Sequence, residues 1–215
     1  MKTFDTLAFK PTRCREELDE LGVLLDAQEE LEERNDVLSF FRKRRQLSAF
    51  IGSYPPYLSN FDRIAYEYDL FGDFKADLVI GDSSSGWYCF VEFEDASSSS
   101  VFKRKRSKVT SEWSSRLEHG FSQVVDWFWK LSDMENSREF MDRFGRDYAG
   151  YEAIIVVGRQ DHLDWKEQQR LRWRRDNVMI GSKHVHCVTF DELFSHLDTR
   201  LSSYEAAYKA DQRFK

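Results

Sequence analysis

The stretch from residue 75 to residue 96 constrains this chain most, because it places acidic side chains inside apolar runs. It reads KADLVIGDSSSGWYCFVEFEDA, two apolar segments separated by a Gly/Ser turn. Asp77, Glu92 and Glu94 interrupt segments that should be buried, and a buried carboxylate is costly unless a partner or a metal ion compensates its charge. Such a conflict between burial and charge is typical of a functional site.

The turn at residues 81–86 is short enough to join the two segments as a β-hairpin. In the simplest register Ile80 pairs with Trp87, and Glu92 becomes the diagonal neighbour of Asp77 on one face of the sheet. Backbone positions related in this way lie about 7–8 Å apart, so the two carboxylates could share one cation. A register slip of one residue would separate them.

The same register places two more charged side chains on this face. Glu94 follows Glu92 by two residues, and Lys75 lies opposite Glu92. Clustered carboxylates on a rigid strand pair suit Mg²⁺ or Mn²⁺, for which phosphodiester hydrolysis is a natural use. In the alternative interpretation, Glu92 and Glu94 lie on an exposed sheet edge and pair with Lys75 or with arginines.

Composition and charge limit the class of protein. A chain of 215 residues with 41% hydrophobic and 15% aromatic residues is expected to fold as one globule. Three widely spaced cysteines predict neither disulfides nor a zinc knuckle and fit a cytoplasmic location, and no apolar run suggests a membrane partner. The net charge is −6, but residues 15–36 alone carry −8, so the rest of the chain carries +2.

The hydrophobic periodicity predicts an α/β fold with a mixed sheet flanked by helices. A helix between the third and fourth strands requires a crossover connection. We expect an N-terminal helical segment, 1–60, packed on a single compact unit, 61–215. The pattern predicts helices at 15–35, 37–51, 113–131, 164–175 and from 191, and strands at 63–70, 76–80, 87–94, 153–157 and 185–190.

The order of three strands, helix and strand, with an acid in the second strand and ExE in the third, resembles the PD-(D/E)xK nuclease superfamily. Within it, the chain is most similar to the nuclease domain of Shedu-type anti-phage defence proteins. The similarity covers about residues 35–198. The segments that carry it are FGDFKADLVI at 71–80, WYCFVEFEDA at 87–96, SQVVDWFWKL at 122–131, AIIVVGR at 153–159 and VTFDEL at 188–193.

This resemblance implies a restriction-endonuclease-like αβββαβ core and a Mg²⁺- or Mn²⁺-dependent deoxyribonuclease, with internal cleavage favoured over cleavage from ends. Asp77 and Glu92 would be the metal ligands. Gln123 matches a helix glutamine that positions water or phosphate in many superfamily members, although it could equally be a surface amide. The implied partner is DNA, the implied role is defence against foreign DNA, and assembly into a homo-oligomer is expected.

The sequence departs from the superfamily pattern at two positions. Ala76 replaces a proline, and Glu94 replaces the lysine that would stabilise charge on the phosphate. Glu94 could accept a proton or hold a second metal ion, and Lys75 is a candidate for the missing ammonium group. The alternative is a catalytically inactive nuclease fold that binds nucleic acid or assembles with partners.

Other basic and aromatic residues suggest DNA contacts. The candidates for phosphate binding are Lys103, Arg104, Lys105, Arg106, Lys108, Arg172 and Arg175. The other interpretation is a solvated loop and a helix with its charged face exposed, and we expect Arg170, Arg172, Arg174 and Arg175 to be exposed on this helix. Trp113, Trp165 and Trp173 could stack on bases, but core packing is favoured. His119, one turn before Gln123, could reach the site, although a surface position is favoured.

Overall fold

A computed structural model describes residues 4–104, 107 and 109–212, with side chains as far as residue 207. Two sheets are present in this part of the chain. The larger has seven strands and the smaller has two. The strands are β1 (Asp5–Thr6), β2 (Arg63–Leu70), β3 (Phe74–Asp82), β4 (Trp87–Phe93), β5 (Phe102–Lys103), β6 (Glu112–Trp113), β7 (Gly150–Val156), β8 (Met179–Ile180) and β9 (Lys183–Val188).

Helices connect and cover these strands. A π-helix at Glu33–Leu38 precedes α2, and short 3₁₀ helices occupy Ile51–Ser53 and Gln160–His162. The α-helices are α1 (Pro11–Ala27), α2 (Ser39–Lys43), α3 (Arg45–Phe50), α4 (Ser115–Met134), α5 (Arg138–Phe144), α6 (Trp165–Asn177) and α7 (Phe190–Gln212).

The seven-stranded sheet is mixed, with the order β1-β2-β3-β4-β7-β9-β8. Strands β1 to β4 pair antiparallel, whereas β7 is parallel to both β4 and β9. Every residue of β7 is buried, as its continuous apolar run predicts. The predicted three-stranded meander, central strand and crossover helix are therefore confirmed.

Two hydrophobic cores lie on opposite faces of this sheet. Helices α1, α2, α3 and α7 contribute to one core, and α4, α5 and α6 to the other. Alternating strand residues supply the two cores in turn, for example Phe90 and Val91 of β4. The predicted stripe of α4 is buried at Leu117, Phe121, Val124, Phe128 and Leu131.

The predicted hairpin register is wrong by two residues. Ile80 pairs with Cys89, because β3 continues to Asp82 and the loop has only four residues. The carboxylate of Asp82 fixes this turn by accepting the backbone N–H groups of Ser84 and Ser85 at 2.9 and 3.2 Å. A shift of two residues preserves the face on which each side chain lies.

The new register changes the neighbours of Glu92. The last β3–β4 pair is Leu78 with Val91. Asp77 and Glu92 are the next residues beyond this pair on their strands, so the two acids lie opposite each other. Lys75 is exposed and pairs with Asp69 of β2. The predicted position of Lys75 opposite Glu92 is therefore wrong.

The sheet also changes face beside Asp77. Glu67 has a φ of 47°, and Tyr66 and Tyr68 on either side of it enter different cores. Regular alternation along the predicted strand 63–70 would place both tyrosines on one face, and this expectation is wrong. Positive φ is uncommon for a residue with a Cβ, so the neighbouring structure must hold Glu67 in this conformation. In the β2–β3 register Glu67 falls at the level of Asp77, so the irregularity adjoins the predicted site.

Two further expectations need correction. Helix α1 ends at Ala27, and an irregular segment leads to the π-helix. Trp165 and Trp173 are 75% and 65% exposed, so they do not pack in the core. Among the described residues, no helix has the length and apolar character needed to cross a bilayer.

Candidate metal centre

The C-terminal end of β4 brings two buried acids under helix α4. Glu92 is the second-last residue of β4 and Glu94 lies just beyond it, and both side chains are buried. The amide Nε2 of Gln123 donates a hydrogen bond to Glu92 Oε1. His119 Nδ1 lies 2.9 Å from Glu94 Oε1. Helix α4 therefore covers each acid with one polar side chain, four residues apart on one face.

Asp77 joins this cluster from the neighbouring strand. Its Oδ2 accepts the backbone N–H of Phe93 at 2.9 Å, one residue after Glu92. The carboxylate thus accepts a backbone N–H of β4 just beyond the last β3–β4 pair. This hydrogen bond fixes Asp77 against the strand that carries Glu92.

The electrostatics of the cluster oppose ionisation of all its acids. Burial raises the pKa of Glu92, and the charges of Asp77 and Glu94 raise it further. Burial also raises the pKa of Asp77, although the N–H of Phe93 lowers it. The pKa of Glu94 is raised by burial and partly lowered by His119. At neutral pH the cluster therefore needs a proton or a cation to offset its charge.

One set of side chains in the described residues fits a metal ion. Ligand atoms of Glu92, Glu94 and His119 lie within 4.8 Å of one another. Two carboxylates and one imidazole suit a divalent ion such as Mn²⁺, and the carboxylates alone also suit Mg²⁺. Asp77 is not part of this set. The structure therefore groups Glu92 with Glu94 and His119 as possible ligands. The sequence instead predicts Asp77 and Glu92 as the ligands.

A cleft opens beside these ligands. Its volume is about 790 Å³, and His119 and Arg116 of α4 form one side. The opposite side comes from the segment before α2, including Glu33. The remaining lining residues are Glu30, Leu31, Glu32, Arg34, Asn35, Asp95 and Ser97.

Comparison with known protein families adds to this geometry. A family described as Shedu protein SduA, C-terminal, matches residues 26–194. The chain belongs to this Shedu family. The matched range contains Asp77, Glu92, Glu94, His119 and Gln123. It also contains the glutamates that line the cleft, Glu30, Glu32 and Glu33. No match was found among curated proteins.

The Shedu-family range also contains the basic residues that the sequence suggests for DNA binding, and the structure divides them. Lys103 is exposed, with its ammonium group 3.0 Å from Ser115 Oγ, and Arg172 is also exposed. Arg104 pairs with Glu167 at 2.5 Å, and Arg175 pairs with Glu192 at 3.2 Å. Lys105, Arg106 and Lys108 lie outside the described residues.

The helix α6 arginines correct another expectation. Arg170 stacks on Phe102 and Trp113, and Arg174 forms two hydrogen bonds with Glu118. Like Arg175, they are only partly exposed, so Arg172 is the exposed one of the four predicted arginines.

Two polar groups of this site, Arg116 and Glu33, are not predicted from the sequence. The favoured surface position of His119 is confirmed, since its side chain is 62% exposed, and it also contacts Glu94. Arg116, His119 and Gln123 are spaced i, i+3 and i+7, which is one edge of a helix, so their common direction could have been inferred. Glu33 is the first residue of the π-helix, and no local pattern predicts that it faces Arg116, 3.0 Å away.

Proposed function

We propose that this protein is a metal-dependent nuclease that hydrolyses DNA phosphodiester bonds in defence against phage. The observation that carries the proposal is the pair of buried acids Glu92 and Glu94, which the exposed His119 joins from α4, beside Asp77. A buried acid cluster at the end of paired strands is poorly suited to a purely structural role, because its charges repel each other. Membership of the Shedu family suggests the defence role.

The donor set fits a Mg²⁺ or Mn²⁺ ion. Glu92, Glu94 and His119 would hold it, and Asp77 would contribute from the adjacent strand. When bound, the ion would lower the pKa of a coordinated water and offset charge on the phosphate. In the overall reaction the water oxygen bonds to phosphorus, and the bond from phosphorus to one sugar oxygen breaks. The water loses a proton, and the departing sugar oxygen takes one up.

The protein groups around the acids have separate tasks in this proposal. Gln123 donates to Glu92 and leaves that carboxylate with a fixed orientation. Glu94 and His119 form a hydrogen-bonded pair, and this contact orients both groups as ligands. The N–H of Phe93 orients the carboxylate of Asp77 and holds it close to β4, the strand that carries Glu92.

DNA is the proposed partner, and the PD-(D/E)xK assignment remains part of this proposal. Lys103, Arg104 and Arg172 are the described candidates with exposed side chains. Arg104 and Arg175 would have to leave Glu167 and Glu192 before binding a phosphate. A cytoplasmic location and a homo-oligomeric assembly are likewise proposed from the resemblance. Lys75 is not included in the mechanism, because the register separates it from Glu92.

A catalytically inactive module is the second candidate. It is favoured by one observation: Glu94, in the position of the superfamily lysine, has both carboxylate oxygens near cationic or potentially cationic side chains. His119 lies at 2.9 Å and Arg116 at 3.5 Å. Such pairing could stabilise the fold after loss of catalysis.

A cleavage assay separates the two candidates. Supercoiled and linear DNA are incubated with the protein and Mg²⁺ or Mn²⁺, and wild type is compared with Glu92→Gln and Asp77→Asn. We expect nicked or linear products from wild type and a loss of at least about 10²-fold in each variant. Absence of cleavage by wild type with either metal, together with retained DNA binding, would support the inactive module.

A further inference from the structure

Arg116 lies beside the position where the superfamily lysine is missing. Its Nη1 is 3.0 Å from Glu33 Oε2 and 3.5 Å from Glu94 Oε2. Its Nε is 3.4 Å from Asp95 Oδ2. Carboxylates from the π-helix and from the residues after β4 thus surround one guanidinium group, which holds its charge at the edge of the cluster.

Glu94 connects this guanidinium to the candidate metal ligands. Its Oε1 faces His119, and its Oε2 faces Arg116. Arg116 therefore contacts one carboxylate of the ligand set directly. A substrate phosphate bound next to Glu94 would lie within reach of the guanidinium, whose planar donors match phosphate oxygens.

Arg116 is both well anchored and accessible. It lies in the first turn of α4, whose N-terminus is capped by Ser114 Oγ accepting the Leu117 N–H at 3.0 Å. Its side chain is 51% exposed, and it lines the cleft with His119. A fixed backbone with an exposed guanidinium is the arrangement needed to contact a ligand that enters through the cleft.

We propose that Arg116 is a catalytic residue that contacts the scissile phosphate and supplies the positive charge missing at position 94. The inference rests on the proposed nuclease function and deepens it. Charge builds up on the phosphate oxygens as the water attacks, and a guanidinium held at that place stabilises the transition state more than the ground state.

Glu33 acts as the competing anion in this proposal. It belongs to a separate segment, and its carboxylate makes the shortest of the contacts to Arg116. Substrate phosphate replaces Glu33 on the guanidinium when DNA enters. Removal of the Glu33 charge by Glu33→Gln is therefore expected to lower KM for DNA by up to about fivefold, because an exposed ion pair is weak. The kcat value should stay within about threefold of wild type.

The test compares Arg116→Ala and Arg116→Lys with wild type in steady-state DNA cleavage with Mn²⁺. Arg13→Ala is a matched control, because Arg13 is also 51% exposed and pairs with two acids, Glu16 and Glu17, on α1. We expect Arg116→Ala to lower kcat by about 10²–10³-fold with a smaller change in KM. Arg116→Lys should retain an intermediate kcat, and Arg13→Ala should match wild type.

Chemical rescue distinguishes a catalytic from a structural role. Guanidinium ion, added at concentrations that leave thermal unfolding unchanged, should restore part of the activity of Arg116→Ala and none of that of Glu92→Gln. The inference is overturned if Arg116→Ala retains wild-type kcat, or if its activity is lost without rescue. If wild type itself cleaves no DNA, the proposed function fails as well, and this outcome is distinct from cleavage that is independent of Arg116.

Discussion

Glu92 shows how a single residue links stability to function. Its carboxylate is buried against Asp77 and Glu94, and burial is the main reason that its pKa is raised. A raised pKa in the folded state means that folding holds a proton that the unfolded chain releases at lower pH. The site therefore lowers the free energy of unfolding at any pH at which Glu92 must ionise without a bound cation.

The first prediction concerns the pH dependence of the metal-free protein. Below the unfolded pKa of glutamic acid, about 4.3, both states are protonated and there is no penalty. As the pH rises from there through the folded pKa, the free energy of unfolding should fall. Glu92→Gln removes this titration, so it should be more stable than wild type near pH 8 by at least about 1.4 kcal/mol, the equivalent of one pKa unit.

Denaturant unfolding in EDTA near pH 5 and near pH 8 measures this difference. Glu16→Gln, an exposed glutamate on α1, serves as the control and should follow wild type. Added Mn²⁺ should stabilise wild type and have less effect on Glu92→Gln. Equal pH dependence of wild type and Glu92→Gln would contradict the prediction.

Asp82 carries the opposite shift and a structural role. Burial raises its pKa, but hydrogen bonds from Ser84, Ser85 and Asn60 outweigh burial and hold the pKa well below the usual value. A depressed pKa stabilises the fold above the unfolded pKa of about 3.9, and this stability is lost as the pH falls through the folded pKa.

The second prediction is that Asp82→Ala destabilises the protein by about 3 kcal/mol at neutral pH, because several backbone N–H groups lose a charged acceptor. Denaturant unfolding measures the loss, and it should shrink as the solution is acidified. Asp5→Ala is the control, since Asp5 is exposed and pairs only at the surface with Arg45. A loss below about 0.5 kcal/mol would show that the turn holds without Asp82.

At the scale of elements, helix α4 carries the polar side chains of the site and also packs the core. Its N-cap, Ser114, is fully buried and donates its hydroxyl to Ser100 O while it accepts the Leu117 N–H. The cap therefore ties the beginning of α4 to the loop that follows β4. Arg116 and His119 lie within the next two turns.

The third prediction compares two caps. Ser114→Ala and Ser137→Ala each remove a serine that accepts an N–H at the start of a helix, α4 and α5 respectively. Each should lower the free energy of unfolding by about 1 kcal/mol. Only Ser114→Ala should also lower the cleavage rate, because only α4 carries site residues. Thermal unfolding and DNA cleavage measured on both variants test this, and equal activity in the two would contradict it.

The hairpin of β3 and β4 shows how far an element can be predicted. The alternation of apolar residues fixes which face each acid occupies, and a register error of two leaves that face unchanged. The pattern does not fix which residues stand opposite each other. Asp82 decides that through contacts with Ser59 and Asn60, which lie far away in the sequence. Hence the common face of Asp77 and Glu92 was predictable, but the partner of Lys75 was not.

At the scale of the whole molecule, the N-terminal segment is built into the fold. Strand β1 extends the main sheet, and α1, α2 and α3 share one core with strands β3, β4 and β7. Glu17 of α1 accepts the backbone N–H groups of Gln46 and Leu47, both at 2.9 Å. The segment also supplies Glu33 to the cleft.

The fourth prediction follows from this shared core. The fragment 61–215 should not fold on its own, because one face of its sheet would expose the apolar residues that α1 to α3 cover. The full chain should unfold in a single cooperative transition, measured by circular dichroism and by tryptophan fluorescence. A soluble fragment with a cooperative transition of its own would contradict this expectation.

The sequence by itself determined the α/β class, the three-stranded meander, the buried central strand and the helix that crosses between them. These features follow from local hydrophobic periodicity, which neighbouring residues carry. It also determined that Asp77 and Glu92 share one face of the sheet, because side chains alternate along a strand. Gln123 was added to them only through the resemblance to the superfamily.

Only the tertiary structure decided which groups complete the site. His119 and Arg116 face Glu94 because α4 packs over the end of β4, and Glu33 faces Arg116 because the π-helix lies on the other side of the cleft. Likewise, Arg174 and Arg175 of α6 pair with acids on other elements, Glu118 and Glu192. Contacts of this kind depend on how elements pack across long sequence separations, and no local period in the chain encodes them.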